Sequence, residues 1–127
     1  MSRFLWICAG GAAGTAARYL LSGWALAVLG TAFPWGTLAV NAIGSFLIGA
    51  VMHVGLATRL LSPTARIALT TGVLGGFTTY SAFNYETLRF LEEGAFRPAF
   101  VNVAAMLLVC LIAGAAGLGL ARLAVGH

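Results

Sequence analysis

The chain has 127 residues, of which 61% are hydrophobic and only 8% are charged, seven as arginine and three as glutamate. Soluble domains carry roughly 25% charged residues, so the composition excludes an ordinary soluble globular domain and a disordered segment. The net charge of +4 is spread thinly along the chain without a basic run, which excludes a nucleic-acid-binding surface.

Four stretches of the sequence contain no ionised side chain, and together they accommodate four membrane-spanning helices. A helix needs about 20 mostly apolar residues to cross a membrane. The charge-free stretches are residues 4–17, 19–58, 67–85 and 98–121, and the spans that they predict cover about 4–29, 35–57, 67–91 and 98–123. The sequence therefore predicts an all-α integral membrane protein, a single four-helix domain over residues 1–127 in the cell (inner or plasma) membrane.

The arginines give only a weak indication of how such a bundle is oriented. With four spans, both termini lie on one side of the membrane, with Arg3, Arg59, Arg66 and Arg122, while the other side holds Arg89 and Arg97. Positively charged residues favour the cytoplasmic side, so this excess favours cytoplasmic termini without fixing them. A chain with so little bias is able to insert in both orientations.

The first span contains a charged residue, Arg18. If the span continues to Leu29, Arg18 lies at membrane depth, where an uncompensated charge costs at least ~2.5–3.5 kcal/mol. One interpretation is a side chain that extends to the interface beside Tyr19. The other is a positive group that lines a water-filled vestibule, which favours anions over cations.

The second span carries small or polar residues at every fourth position. They are Thr37, Asn41, Ser45, Gly49 and His53. Residues four apart lie on nearly the same helix face, so the stripe forms either a close helix contact joined by hydrogen bonds or a polar track along a pathway. No second ligand stands at a useful spacing from His53, so no metal site is predicted there.

The third span contains a pattern that favours a break in the helix near its middle. Gly75 and Gly76 precede Phe77 and the pair Thr78-Thr79, and glycine and β-branched residues are weak helix formers. A break leaves backbone groups unpaired, which is tolerated only against protein or a cavity. Carbonyls from Gly75 to Thr78 are then free for a cation, and amides after an N-cap at Thr78 or Thr79 face an anion. A simple glycine kink for packing is the alternative.

Two aromatic residues, Tyr80 and Phe83, follow this pattern three positions apart, on one face of a helix. Aromatic rings are electropositive at their edges, so two rings presented edge-on are able to hold an anion. The alternative is an ordinary pair of core aromatics. Ser81 adds a hydroxyl beside them, and Glu86 either pairs with Arg89 at i, i+3 or faces an aqueous mouth.

The fourth span contributes Asn102, Cys110 and glycines that allow close helix approach. Cys8 and Cys110 lie in apolar helices and are expected to be small core residues rather than disulfide partners. Four helices cannot enclose a wet pathway and also bury this many polar groups. We therefore expect an oligomer, at minimum a dimer.

Three motifs together resemble one family of membrane proteins. They are Gly10-Gly11 through Gly14 to Arg18-Tyr19, Phe33-Pro34-Trp35-Gly36-Thr37-Leu38 with Asn41 and Gly44, and Gly72 through Gly75-Gly76-Phe77-Thr78-Thr79-Tyr80-Ser81 to Glu86. In its length, its four spans and these motifs, the chain resembles the Fluc-type (CrcB) fluoride ion channels.

This resemblance implies an antiparallel, dual-topology homodimer, with a third helix broken near the midplane and two fluoride pores along the dimer interface. It also implies a structural Na⁺ ion at the dimer centre, held by backbone carbonyls at the positions of Gly75 and Thr78. The residues that match the family's pore are Asn41, Tyr80, Phe83, the hydroxyl of Ser81 between them, the vestibule residue Arg18 and the acidic residue Glu86. Thr37, one turn before Asn41 in the same stripe, is grouped with them.

The chain departs from the family pattern in two places. Tyr80 replaces the usual first phenylalanine, which keeps the ring edge but adds a hydroxyl. In the fourth span the family commonly has a tyrosine and then serines, whereas this chain has Asn102, Met106 and Cys110. No role is assigned to residues of the fourth span.

The resemblance implies a fluoride-selective channel that passively exports F⁻ from the cytoplasm and protects against its toxicity. Selectivity is expected from a narrow path of weak donors that replace the hydration shell. The alternative is a small multidrug-type proton-coupled exporter, which needs a carboxylate within the membrane, although three of the four spans contain no acid. A third hypothesis is a non-transporting assembly subunit. No nucleophile–base pair or metal-ligand cluster indicates an enzyme.

Overall fold

The computed structural model describes all 127 residues, Met1 to His127, as an all-helical chain. In chain order the elements are α1 (Ser2–Leu29), α2 (Trp35–Ala57), α3 (Pro63–Ile67), a π-helix (Ala68–Leu74), α4 (Gly75–Phe77), α5 (Tyr80–Glu92) and α6 (Phe96–Val125). Three of them, α1, α2 and α6, are long and apolar enough to cross a membrane. The segment from α3 to α5 lies between them in the chain, so four membrane-crossing segments fit the sequence.

The helix ends differ from the predicted span limits in ways that local chemistry explains. α1 begins at Ser2 rather than residue 4, and α6 covers Phe96–Val125 rather than 98–123, while α2 occupies the predicted 35–57. The third segment already becomes helical at Pro63, because the Ser62 hydroxyl caps it by accepting a hydrogen bond from the Ala65 N–H at 3.1 Å. The π-helix is not indicated by the sequence pattern.

α1 packs closely against the π-helix and α4 because both surfaces carry glycines. A Cβ atom at Gly14 would lie 1.9 Å from the Val73 carbonyl oxygen, and one at Gly76 would lie 2.4 Å from the Gly11 carbonyl oxygen. Neither backbone oxygen is able to move far within its helix. Side chains at these glycines would therefore force the two segments apart, and the close contact fixes α4 against α1.

α2 and α6 form the second close pair. A Cβ atom at Gly117 would lie 1.9 Å from the Phe46 carbonyl oxygen, and one at Gly49 would lie 2.4 Å from the Gly114 carbonyl oxygen. Val40 on α2 is completely buried. The two glycine contacts hold the polar stripe of α2 beside α6.

Most of the molecular surface is apolar. Only 16 of 127 residues are buried, and large side chains such as Phe100, Leu111 and Ile112 are exposed on α6. A soluble monomer rarely exposes so much contiguous apolar surface. Such a surface suits contact with lipid or with further protein.

Candidate functional site

Two residues, Thr78 and Thr79, adopt extended conformations between α4 and α5. Thr78 has φ −86° and ψ 159°, and Thr79 has φ −151° and ψ 121°. Thr79 caps α5, because its Oγ1 accepts a hydrogen bond from the Ala82 N–H at 3.2 Å. Gly75 keeps helical angles, φ −63° and ψ −38°. The extended conformation thus falls on the β-branched pair, and Gly76 serves the contact with α1.

The side-chain amide of Asn41 on α2 supplies hydrogen bonds to this extended segment. Asn41 Oδ1 accepts from the Thr79 N–H and Asn41 Nδ2 donates to the Thr79 carbonyl oxygen, both at 2.8 Å. The same Nδ2 donates to Met106 Sδ at 3.3 Å, and a thioether is a weak acceptor. An unpaired backbone group costs several kcal/mol in hydrocarbon, so Asn41 is the residue that permits extended backbone here.

The guanidinium group of Arg18 lies at the carbonyl end of α4. Its Nε donates to the Gly76 carbonyl oxygen at 3.0 Å, and no backbone hydrogen bond from Tyr80 reaches that oxygen. A guanidinium group has five N–H donors, and Arg18 forms no other hydrogen bond or ion pair within the chain. Arg18 therefore caps a carbonyl that the extended residues leave unpaired, and its remaining donors are available to water or an anion.

The two carbonyl groups proposed for cation binding also lack backbone partners. The Thr79 N–H, which would reach the Gly75 carbonyl in a continuous α-helix, instead bonds to Asn41. Among the backbone hydrogen bonds outside the regular elements, none ends on the carbonyl oxygen of Gly75 or Thr78. Both oxygens are free as acceptors, so the donor set fits a hard monovalent cation such as Na⁺.

The aromatic pair after the extended residues has an edge-to-face arrangement. The ring centroids of Tyr80 and Phe83 are 5.6 Å apart, with 70° between the ring planes. Phe83 is only 8% exposed, whereas Tyr80 is 76% exposed. Ser81 Oγ lies 3.3 Å from Thr79 Oγ1 and is otherwise at the surface. In a single chain, Phe83 therefore lies in a cavity wall while Tyr80 and Ser81 are uncovered.

Thr37 and Glu86 meet at a different place. Thr37 Oγ1 donates to Glu86 Oε1 at 2.6 Å, and Glu86 Oε2 is buried without a partner. The expected alternative of a Glu86–Arg89 ion pair is wrong, because Arg89 Nε lies 3.4 Å from Glu93 Oε1 one helical turn further on. Thr37 and Glu86 border a cavity of about 280 Å³ between α1, α2 and α5. The carboxylate thus faces this cavity rather than the extended residues.

α6 also contributes to the site, although sequence reasoning assigned it no role. Asn102 Nδ2 donates to Thr87 Oγ1 at 2.9 Å, and Thr87 Oγ1 donates to the Phe83 carbonyl oxygen at 2.8 Å. One turn after Asn102, Met106 Sδ accepts a hydrogen bond from Asn41 Nδ2. One turn further on, the Cys110 thiol donates to the same Met106 Sδ. The spacing of four along α6, the same as that of the stripe on α2, is the sequence signal that indicates this shared face.

A cavity of about 460 Å³ collects most of these groups between α2, α6 and the extended residues. The predicted site residues that line it are Asn41, Gly75, Thr78, Tyr80 and Phe83. The other predicted residues do not line it: Thr37 and Glu86 border the smaller cavity, while Arg18 and Ser81 border neither. A mostly apolar cavity with a few convergent polar groups is typical of a binding site.

Comparisons with known proteins agree over nearly the whole chain. A family model described as "CrcB-like protein, Camphor Resistance (CrcB)" matches residues 5–118. Three relatives carry the name fluoride-specific ion channel FluC. That of Sorangium cellulosum (strain So ce56) is 55% identical over 122 residues, 96% of each chain. That of Geobacter sulfurreducens is 52% identical over 122 residues, 96% of this chain and 98% of the relative.

The third relative, from Anaeromyxobacter sp. (strain K), is 48% identical over 122 residues, which are 96% of this chain and 97% of the relative. The family match over residues 5–118 spans all the residues that line the 460 Å³ cavity. With three apolar helices of spanning length, the chain is a multi-pass membrane protein and belongs to the CrcB-like family.

Proposed function

We propose that this protein is a fluoride-selective ion channel through which F⁻ leaves the cytoplasm passively, which protects the cell from fluoride. Undissociated HF crosses membranes and ionises in a more alkaline cytoplasm, so trapped F⁻ runs outward down its electrochemical gradient through a pore. The names of relatives at about half identity over nearly the full chain support this function. The structural observation that carries it is the cavity where Asn41, Phe83 and the start of α5 converge.

The donors around this cavity are weak and few, which suits a small, strongly hydrated anion that must be partly dehydrated. One Asn41 Nδ2 contact ends only on the Met106 thioether, so an anion is able to replace that weak acceptor. The N-terminal end of α5 presents backbone N–H groups and the positive end of a helix dipole. The ring edge of Phe83 adds a partial positive charge. We assign fluoride contact to Asn41, Phe83, Tyr80 and Ser81.

The proposed assembly is a homodimer of inverted copies, with the extended residues near the bilayer midplane. Polar or aromatic residues are exposed along one side of α5, namely Tyr80, Ser81, Asn84 and Tyr85. Polar groups facing lipid are unfavourable, so a second copy that covers this side removes them from hydrocarbon. The weak arginine bias of the sequence permits the inverted orientation. In this dimer the exposed Tyr80 and Ser81 become enclosed.

A structural Na⁺ ion is proposed at the centre of the dimer, where it supplies a positive charge that links the subunits. The carbonyl oxygens of Gly75 and Thr78 are the ligands from each chain, since neither accepts one of the connecting backbone hydrogen bonds. Arg18 engages the neighbouring Gly76 carbonyl, which leaves Gly75 and Thr78 for the cation. The remaining Arg18 donors and the Thr37–Glu86 pair are assigned to the aqueous approaches of the pore.

Fluoride efflux from liposomes tests the proposal. Purified protein in liposomes loaded with potassium fluoride, with valinomycin to balance charge, is expected to release F⁻ to a fluoride electrode, while chloride-loaded liposomes release little anion. Phe83→Ile is expected to slow efflux, and His53→Gln, whose Nε2 contacts only the Gly126 carbonyl, serves as the matched control. Absence of fluoride release, or equal release of chloride, refutes the assignment. No observation favours the proton-coupled exporter, because Glu86 is held by Thr37.

A further inference from the structure

Two sulfur atoms of α6 converge on the 460 Å³ cavity. The Cys110 thiol donates to Met106 Sδ across 3.6 Å, and the two residues are one helical turn apart. Both sulfur-bearing residues line the cavity together with Asn41 and Ser45. The pair is therefore a small cluster of soft ligands at an open space rather than two isolated core residues.

The geometry of this pair suits a metal ion of low coordination number. With a metal–sulfur distance of about 2.3 Å, sulfur atoms 3.6 Å apart subtend an angle of roughly 100° at the metal. This value lies close to tetrahedral, so both sulfurs are able to bind one ion without a shift of the helix backbone. The cavity has room for water as a further ligand. Thiolate with thioether selects soft ions such as Cu⁺ over Mg²⁺ or Ca²⁺.

Borderline ions such as Zn²⁺ have no side-chain site of the usual kind in this chain. No group of three or more histidine, cysteine, aspartate or glutamate side chains is close enough to hold a metal ion. Zinc sites commonly use four such ligands. Two sulfurs at this bent angle, with water as a further ligand, thus suit a soft monovalent ion that is at least three-coordinate.

We propose that Cys110 and Met106 form a binding site for one soft, thiophilic cation of the Ag⁺ or Cu⁺ class. On binding, the Cys110 S–H bond breaks, its proton passes to water and the sulfur bonds to the metal, while Met106 donates a sulfur lone pair; no electrons are exchanged. Met106 then no longer accepts from Asn41, and the ion occupies the cavity. Obstruction of fluoride passage by this ion rests on the proposed function, whereas the binding itself does not.

Silver binding to the purified full-length protein tests the site directly. Silver fluoride and nitrate are soluble whereas silver chloride is not, so the buffers contain nitrate and no chloride. Cys8 is an exposed thiol on α1 and would bind silver itself, so the starting protein carries Cys8→Ser. That protein is expected to retain one Ag⁺ per chain after desalting, measured by mass spectrometry of the metal. Adding Cys110→Ser is expected to abolish retention.

The thioether is tested separately, because a single thiol also binds silver. Met106→Leu keeps the thiol but removes the chelate, so the dissociation constant for Ag⁺ in a competition titration is expected to rise roughly 100-fold. Met52→Leu, at a methionine outside this cavity, is the matched control and is expected to leave the constant unchanged. Equal affinity in the Met106→Leu protein, or one Ag⁺ retained after Cys110→Ser, overturns the two-sulfur site.

Fluoride efflux from liposomes distinguishes this proposal from the channel function. Each variant is compared with its own silver-free rate. Ag⁺ is expected to inhibit the Cys8→Ser protein and dithiothreitol to restore it, with no inhibition once Cys110→Ser is added. Silver retained without any fluoride efflux in silver-free liposomes refutes the channel and leaves the metal site standing. Efflux without silver retention refutes the site alone, and silver retained with an unchanged rate refutes the obstruction.

Discussion

The amide of Asn41 is expected to support the fold as much as the pore, and replacing it separates the two roles. Asn41→Leu has a similar volume but removes both 2.8 Å hydrogen bonds to the Thr79 backbone. Each buried backbone group left without a partner costs about 1–3 kcal/mol, so the two together are expected to lower the free energy of unfolding by about 2–6 kcal/mol. Asn41→Asp keeps an acceptor for the Thr79 N–H but turns a carboxylate oxygen toward the Thr79 carbonyl oxygen, so it is expected to lose at least half as much.

The assay is unfolding in mixed detergent micelles with increasing sodium dodecyl sulfate, followed by tryptophan fluorescence, alongside fluoride efflux from liposomes. Ser45→Ala, one turn further along the same stripe, is the control and is expected to change stability by no more than about 0.5 kcal/mol. Asn41→Asp places a negative charge in the cavity, so its fluoride efflux is expected to stop although it remains folded. An Asn41→Leu protein as stable as the Ser45→Ala protein refutes the supporting role of the amide.

Three further changes test other parts of the site. Arg18→Gln removes a charge-assisted bond to the Gly76 carbonyl, so the free energy of unfolding is expected to fall by about 1.5–3 kcal/mol. Its initial efflux rate is expected to fall as well, and Arg18→Lys is expected to be intermediate in both quantities. Phe83→Ile roughly conserves volume, so we expect less than about 1.5 kcal/mol of destabilisation but at least a tenfold slower efflux, about 1.4 kcal/mol in the barrier. Gly14→Ala places a Cβ 1.9 Å from the Val73 carbonyl oxygen, so the peak of folded protein on gel filtration is expected to disappear. Gly23→Ala, where nothing lies within 4 Å of the added Cβ, is the control and is expected to give the same peak as the unmodified protein.

For each of these variants, a specific outcome would contradict the expected role of the residue. Equal stability and equal efflux in Arg18→Gln and the unmodified protein would show that the Gly76 carbonyl needs no cap. An unchanged rate in Phe83→Ile would show that the ring edge does not act on the ion. A folded Gly14→Ala protein would show that α1 and the π-helix do not pack as closely as described.

The membrane class and four segments could be predicted because they depend on properties that lie along the sequence. Charge-free runs of adequate length and turn residues between them need no knowledge of tertiary contacts. The same holds for the capping of α5, since Thr79 precedes its helix directly. Local signals of this kind place elements to within a few residues.

Contacts between distant residues could not be predicted in this way. The weak helix formers from Gly75 to Thr79 indicated where the helix is interrupted. Which of them become extended depends on hydrogen bonds from Asn41, which lies 38 positions before Thr79 in the sequence. The use of Arg18 to cap Gly76 spans 58 positions. The expected Glu86–Arg89 pair was a local inference, and it gave way to the tertiary bond between Glu86 and Thr37. The role of α6 needed its partners on α2 and α5.

The π-helix over Ala68–Leu74 marks a place where the segment is able to change its length by one residue. Its wide turns absorb an additional residue, and each residue of an α-helix rotates the chain by about 100°. Deleting one residue there would let the wide turns tighten into a regular α-helix, so that Gly76 still met Gly11 and Thr79 still met Asn41, whereas a deletion within an α-helix would rotate everything downstream by that angle. Homologous sequences should therefore tolerate loss of one residue in this stretch, while they keep glycine at the position of Gly72, where a Cβ atom would lie 2.8 Å from the Ile7 carbonyl oxygen.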